Sequence, residues 1–169
     1  EAVTQQAVTP QETGQDQQAD EIVSLLELVI DADADSAREC LAVLSEKVQS
    51  GALSGRRLEQ LKPRLRELLQ PVLQASAEHP LYFEAHVLAA GWGNEPSRAL
   101  MRSVLSDSRR DDSLRRRALQ TLIAAQDPQL LAAADRLLGE PRRNSTELRS
   151  ALLAELGDQA ARRLQLRTG

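Results

Sequence analysis

The fold is decided by residues 111–129, which read DDSLRRRALQTLIAAQDPQ. Leu114, Ala118 and Leu122 recur at helical spacing, and this spacing predicts an amphipathic helix with one apolar face. The run Gln126-Asp127-Pro128 predicts a turn, and another apolar run follows it directly. The stretch therefore predicts one helix, a turn and the start of a second helix.

The same pattern recurs on both sides of this stretch, at a step of about 33 residues. Residues 79–110 resemble residues 111–143, and a shorter third copy begins at Ser145 with Leu156-Gly157-Asp158 at its inter-helix turn. Each copy predicts a helix pair with an apolar face that the pair cannot bury alone. Helix pairs at a fixed period are typical of an α-solenoid.

The middle copy resembles the HEAT repeat, whose first helix commonly begins with an Asp and carries an Arg, as Asp111 and Arg115 do here. The first copy has Tyr82 at the Arg position, and the third has Ser at the opening position. The resemblance covers residues 78–169. It implies an all-α fold, an α-α superhelix of the HEAT/armadillo-like right-handed solenoid type.

The N-terminal part of the chain has a different character. Residues 1–18 carry almost no large apolar side chain, which predicts a polar tail or linker. Thr9-Pro10 is typical of a helix start, but Gly14 and the missing apolar run argue against a long helix there. Residues 19–77 predict a helical hairpin and a kinked helix. The first of these helices has one apolar face, made by Ile22, Leu25, Leu26 and Val29.

A second helix is predicted to start at the capping box Ser36-Ala37-Arg38-Glu39 and to end before Gly51. Pro63 and Pro71 interrupt the leucine-rich run that follows, which predicts either two short helices or one bent helix. The apolar face of the second helix is predicted to contain Cys40, Leu41, Leu44 and Val48.

Residues 37–55 contain the runs Val48-Gln49-Ser50-Gly51 and Leu53-Ser54-Gly55. This stretch is similar to a helical segment of large secreted bacterial proteins, which connects a β-propeller, often labelled a membrane-bound dehydrogenase, to a C-terminal c-type cytochrome domain. The resemblance implies a connector from a secreted, extracytoplasmic redox protein. It also implies that neither the propeller nor the haem belongs to these residues.

Composition and charge restrict the possible partners. Tyr82, Phe83 and Trp92 are the only aromatic residues, and no apolar run is long enough to span a bilayer, so we expect a soluble helical protein without membrane insertion. Residues 1–53 carry 2 basic and 11 acidic side chains, whereas residues 54–169 carry 19 and 14. The basic residues are almost all Arg interleaved with acids, which disfavours nucleic-acid binding.

The sequence contains no complete signature of a catalytic or cofactor site. Cys40 stands alone without the Cys-x-x-Cys-His run that haem attachment needs, and we expect it to be buried. Asp31, Asp33 and Asp35 lack the glycine and glutamate of a calcium loop and predict a polar turn. We therefore expect no metal and no cofactor in this segment.

The two histidines, His79 and His86, stand seven residues apart, too far along a helix to share a metal easily. We interpret His79 as a helix-start residue and His86 as partly exposed. Trp92 lies between two glycines and is either an exposed recognition anchor or a core residue at a turn, and we favour the core position. Because no catalytic signature is present, we expect that the chain is not an enzyme. The alternative is a HEAT-like DNA-repair glycosylase, which abasic product from methylated DNA would support.

The predicted function is a non-catalytic scaffold, spacer or protein-interaction module. On the second helices of the repeats, beginning near Pro96, Pro128 and Asp158, the apolar phase leaves several arginines at its edge. Such arginines suit carboxylates of an acidic protein, including a neighbouring domain of the same parent chain. Alternatively, nearby carboxylates such as Glu95, Asp135 and Asp158 neutralise them, and the oligomeric state stays open. The candidate partner-binding residues are Arg98, Arg102, Arg136 and Arg162.

Overall fold

The computed structural model describes the backbone of residues 10–168 and the side chains of residues 21–157. This part of the chain is all-α and contains no strand, so the predicted all-α class is confirmed. None of its helices is both long and apolar enough to cross a bilayer. The helices are α1 Pro10–Ala32, α2 Ala34–Gln49, α3 Gly55–Leu73, α4 Tyr82–Gly91, α5 Glu95–Ser106, α6 Asp112–Ala124, α7 Leu130–Gly139 and α8 Thr146–Thr168.

The helices form two compact units, residues 1–82 and residues 83–169. In the first unit, α1 packs against both α2 and α3. The leucines of α3 recur every fourth residue and place one side of that helix in the core. The buried side chains of this core include Val23, Leu26, Leu41, Leu61, Leu65 and Leu69.

Helix α3 is a single helix, although Pro63 and Pro71 lie inside it. Both prolines are exposed, and so are Glu59 and Glu67, whose carbonyls lose a helical donor to the proline rings. Water can therefore bond these carbonyls in place of the missing backbone N–H groups. Of the two predicted arrangements, two short helices are excluded, because one helix runs from Gly55 to Leu73.

Helix α1 begins at Pro10, although Gly14 and the missing apolar run argued against a long helix there. The part of the predicted tail that precedes Pro10 lies outside the described residues. Proline fits the first turn of a helix, and Gln, Glu and Ala propagate a helix readily once its packed C-terminal half has nucleated. Gly14 costs only about 1 kcal/mol relative to Ala inside such a helix.

The capping box predicted at Ser36 is also wrong, because α2 begins at Ala34 with Asp33 as its N-cap. The Asp33 carboxylate accepts hydrogen bonds from the Ser36 hydroxyl at 2.5 Å and from its backbone N–H at 2.9 Å. These bonds, with one from the Asp35 N–H, lower the pKa of Asp33 below its ordinary value. The polar turn predicted around Asp31–Asp35 is thus present, and the C-terminal end of α2 has Gly51 at φ +78°, as predicted.

The second unit contains two helix pairs, α4–α5 and α6–α7, followed by α8. Helix α5 packs against α6 and α7, and α8 packs against α6 and α7. Leu119 and Leu122 on α6 are fully buried, which confirms the predicted phase of that helix. The core of the unit also contains Val87, Met101, Leu105, Ala118, Leu130, Ala134, Leu137, Leu148 and Leu152.

The third copy differs from the prediction. Helix α8 runs through Gly157 without a break, so the turn expected at Leu156-Gly157-Asp158 is wrong and no separate second helix starts near Asp158. No proline follows Gly157, and good helix formers flank it on both sides. One glycine is then too weak a breaker to stop the helix.

Trp92 lies in the turn between α4 and α5 and is 8% exposed. This burial confirms the predicted core position. The next residue, Gly93, has φ +94°, in the left-handed region that favours glycine. The chain can therefore reverse directly after the buried indole.

Candidate partner-binding surface

Arg102 projects from α5 and joins two elements of the second unit. Its Nη1 donates to both carboxylate oxygens of Asp127, each at 2.8 Å, and its Nη2 contacts Glu95. The Asp127 side chain is fully buried, whereas 14% of the Arg102 side chain is exposed. Arg102 therefore fastens α5 to the turn between α6 and α7.

The electrostatics of Arg102 follow from these contacts. Burial disfavours its charged form, but the hydrogen bonds to Glu95 and Asp127 outweigh that cost and raise the pKa of Arg102 above its ordinary value. Local neutralisation by Glu95 was one of the two predicted alternatives. Asp127, the buried partner, was not predicted to take part.

Arg98 is half-buried and also makes an internal contact. Its Nη2 donates to the carbonyl oxygen of Ala125 at 2.8 Å. Ala125 is the C-cap residue of α6, so the guanidinium binds the negative end of the helix dipole. Arg98 thus connects α5 to the end of α6, and its Nη2 is directed toward the protein.

Arg136 on α7 is exposed and lies beside Arg102 at a cleft between α5 and α7. The cleft has a volume of about 280 Å³, and Ser103, Ser106 and Gln129 supply further polar groups to its wall. None of the described lining residues carries a carboxylate. The exposed guanidinium of Arg136 therefore borders a space that can accept an anionic group.

Arg162 is the fourth predicted arginine, and its side chain lies outside the described residues. Its backbone belongs to the continuous helix α8, not to a separate second helix. The structure thus places Arg102 and Arg136 at one cleft, whereas Arg98 contacts the end of α6. Of the carboxylates that were expected to neutralise the arginines, Glu95 contacts Arg102, and Asp135 is exposed on α7.

Contacts between equivalent positions of neighbouring repeats distinguish the second unit. Arg117 on α6 makes a bidentate ion pair with Glu84 on α4, and these residues are 33 positions apart in the sequence. Ser145 contacts Asp112, again over 33 positions. Both contacts thus join residues that are one step of the sequence period apart.

Arg115, the arginine on which the HEAT resemblance depends, is 2% exposed. Its Nε donates to the Leu105 carbonyl at 3.0 Å, Nη1 donates to Asp112 at 3.4 Å, and Nη2 contacts the side-chain oxygen of Asn144. Asn144 in turn donates to the Leu137 carbonyl at 2.8 Å. A single side chain thus links α5, α6 and the turn before α8.

Two corrections concern residues with potential chemistry. Cys40 is exposed, although it was predicted to be buried, because α2 directs Ala37, Leu41 and Ser45 inward and leaves Cys40 on its flank. His86 is 5% exposed, not partly exposed, because α4 is buried on nearly all sides. Both errors arise because the helical period does not show which other helices pack against a residue.

His86 also approaches a serine, which is an arrangement found in nucleophilic catalysis. Its Nδ1 lies 2.9 Å from the Ser97 hydroxyl, and the same hydroxyl lies 2.8 Å from the side-chain oxygen of Asn94. Ser97 is fully buried, so a substrate cannot reach its oxygen in this structure. Asn94 is the N-cap of α5 and accepts the Ser97 N–H at 3.0 Å, so the group stabilises a helix start.

His79 is half-buried, and its Nδ1 accepts the Leu81 N–H at 3.2 Å, just before α4 begins. This contact agrees with the predicted helix-start role. Over the part of the chain with described side chains, no group of three or more His, Cys, Asp or Glu residues is placed to hold a metal ion. Comparison of the chain with family models, with curated proteins and with solved structures gave no match.

Proposed function

We propose that this chain is a HEAT-like, right-handed α-solenoid segment that serves as a non-catalytic scaffold or spacer and binds an acidic protein partner. The partner is a separate protein or a neighbouring domain of the same parent chain, and the proposed setting is a secreted redox protein. The observation that carries the proposal is the pair of contacts over 33 sequence positions, Arg117–Glu84 and Ser145–Asp112. Stacked repeats bring equivalent residues together in this way.

The stacking also has a physical basis in the core. Ala85 and Ala118 occupy equivalent positions of the two first helices, and both are fully buried. Small side chains at these positions allow neighbouring helices to approach, and Leu119 and Leu122 are buried in the core of the unit. A further copy of the unit would therefore find a matching surface, since each repeat contacts mainly its neighbours.

The repeat proposal is tested by inserting a second copy of residues 111–143 directly after Arg143. A solenoid should accept this insertion, keep one cooperative unfolding transition and show a larger denaturant m-value, because more surface is buried. A matched control inserts only residues 111–126, about half a period, which breaks the alternation of first and second helices. Equal loss of cooperativity in both proteins would contradict the solenoid.

The binding proposal rests on the cleft between Arg102 and Arg136. Arg102 is already held by Asp127 and Glu95, which neutralise its charge, whereas Arg136 is exposed and can reach a ligand. A partner carboxylate at this point would replace part of the hydration of Arg136 with a charge-assisted bond. Such bonds contribute about 1.5–3 kcal/mol, roughly a tenfold change in affinity or more.

The binding test uses the domains that flank this segment in the full gene, supplied in trans. Arg136→Glu should weaken a salt-sensitive association about tenfold or more while preserving the helical circular dichroism spectrum. Arg116→Glu on the exposed side of α6 is the matched control and should leave binding unchanged. Reversal of Arg102 is avoided, because it would place three carboxylates together around Asp127. Equal affinities of the wild type and Arg136→Glu would exclude the cleft.

A further inference from the structure

The first unit has an exposed apolar groove between α1 and α2. Leu25 and Leu28 on α1 are 62% and 66% exposed, and Val43 on α2 is 50% exposed. The groove has a volume of about 380 Å³. Its walls include Ile22, Leu25 and Val29 from α1, and Cys40, Val43 and Leu44 from α2.

The burial pattern explains why the groove is open. Helix α1 uses Val23 and Leu26 for the core of the unit, and α2 uses Ala37, Leu41 and Ser45. Helix α1 therefore carries apolar side chains that its contacts with α2 and α3 do not bury. Large apolar side chains grouped in this way on a surface are typical of interaction sites.

Acidic side chains outnumber basic ones on the two helices that form the groove. Residues 21–53 contain seven acidic and two basic side chains. Glu39 lines the groove directly, while Arg38 is paired with Asp35 at 3.0 Å. A ligand for this surface must therefore combine apolar anchors with positive charge.

We infer that this groove, lined by Ile22, Leu25, Val29, Cys40, Val43 and Leu44, binds a basic amphipathic helix of another protein. The groove lies between two helices, and the described part of the chain has no strand edge to pair with an extended peptide. Ile22 and Val29 are seven residues apart, about 10 Å along α1. This length matches ligand side chains at positions i, i+4 and i+7 of a helix.

Charge complementarity selects this occupant over others. Two copies of the groove placed face to face would bring two Glu39 carboxylates and two acidic helix pairs together, which opposes self-association through this surface. Anionic lipid headgroups would be repelled by the same carboxylates. The chain's own residues 1–9 offer only Ala and Val as apolar groups and no basic residue.

The test uses a synthetic peptide of about five helical turns with leucines on one face and lysines on the other. The full chain should bind it with an affinity that falls as salt is added, and binding should protect the Cys40 thiol from a thiol-reactive dye, since Cys40 lies in the groove wall. An otherwise identical leucine and glutamate peptide should bind at least about tenfold more weakly. Equal binding of the two peptides, or an unprotected Cys40, would overturn the proposal.

Matched variants locate the site. Leu25→Ser combined with Val43→Ser should weaken the lysine peptide about tenfold or more, since both side chains would lose burial in the complex. Leu131→Ser combined with Leu153→Ser changes two equally exposed apolar residues of the second unit, 68% and 57% exposed, and should leave affinity unchanged. A groove variant that binds like the wild type would overturn the assignment.

Three further measurements address the other occupants. The chain should sediment as the same species with and without the groove substitutions, and it should not bind phosphatidylserine vesicles. Deletion of residues 1–9 should not change the rate at which Cys40 reacts. Self-association or vesicle binding through Leu25 and Val43, or faster Cys40 reaction after the deletion, would replace the basic helix as occupant. Arg136→Glu should bind the peptide normally, which separates this site from the arginine cleft.

Discussion

The two compact units differ in how many polar side chains they bury. In the second unit, Arg115, Glu84 and Asp127 are buried and bonded within the unit. In the described part of the first unit, Ser45 is the only buried polar residue, whereas Leu25, Leu28 and Val43 are exposed. The second unit therefore satisfies its charges internally, while the first leaves apolar surface for another molecule.

This difference shows two kinds of contact that the helix surface outside the core can make, polar and apolar. Contacts such as Arg117–Glu84 require a particular register between α4 and α6, so they favour one relative position of these helices. The α1–α2 hairpin has no comparable buried pair among its described residues, and its contacts are mainly apolar. Such a surface binds helices whose anchors and charges suit it, without fixing its own position through buried polar bonds.

The largest expected effect is on the core of the second unit. Leu122→Ala should lower the free energy of unfolding by about 2–5 kcal/mol, because the fully buried side chain leaves a cavity. The matched change in the first unit, Leu25→Ala, should alter it by no more than about 0.5 kcal/mol, since Leu25 is exposed. Urea denaturation measures both. A loss below about 1 kcal/mol for Leu122→Ala would contradict the helix phase.

A smaller effect is expected from the buried polar contacts. Arg115→Met keeps most of the side-chain volume but leaves the Leu105 carbonyl and the Asn144 side chain without their donor. A buried group left unsatisfied costs about 1–3 kcal/mol. Arg116→Met, one residue along α6 and exposed, is the control and should be nearly neutral. If the two variants have equal stability in urea, the buried network does not stabilise the second unit.

Two residues that each occur once in the chain allow burial in the two units to be compared without mutation. Trp92 is the only tryptophan and belongs to the second unit, so its emission should be blue-shifted and poorly quenched by acrylamide. Cys40 is the only cysteine and belongs to the first unit, so a thiol reagent should modify it without unfolding. Red, easily quenched emission or a thiol that reacts only in denaturant would reverse the corresponding assignment.

The smallest effect is expected at the N-terminus. Deletion of residues 1–18 should leave the melting temperature nearly unchanged, because the first buried residues among the described side chains of α1 are Val23 and Leu26. Deletion of residues 1–27 removes both of these and should destabilise the first unit strongly. Thermal unfolding followed by circular dichroism distinguishes them. A drop of many degrees after the shorter deletion would show that the start of α1 packs against the unit.

The helices themselves could be predicted from the sequence. Their apolar periods, the proline and glycine positions and the repeat step are local patterns, and they predicted the buried phase of α6, the end of α2 at Gly51 and the buried Trp92. The errors lie where local signals compete. Ser36 and Asp33 are both good N-caps, and Gly157 is a weak breaker within a long run of helix formers.

The pairing of charges could not be predicted, because it depends on distances between residues far apart in the chain. Asp127 and Arg102 are 25 positions apart, and Arg98 and Ala125 are 27 apart. Helical periodicity identifies the arginines at the edge of an apolar face but does not show which carboxylate or carbonyl a neighbouring turn brings to them. Of the predicted arginines with described side chains, Arg136 is the one that is exposed at the cleft.

The sequence by itself determined the helical character of the chain, because hydrogen bonds within a helix and the spacing of its apolar residues are local properties. The tertiary structure alone decided which apolar side chains are covered. Leu25 and Leu26 are adjacent and equally apolar, yet Leu26 is 2% exposed and Leu25 is 62% exposed. Burial requires a neighbouring surface, and the positions of α2 and α3 provide one for Leu26 but not for Leu25.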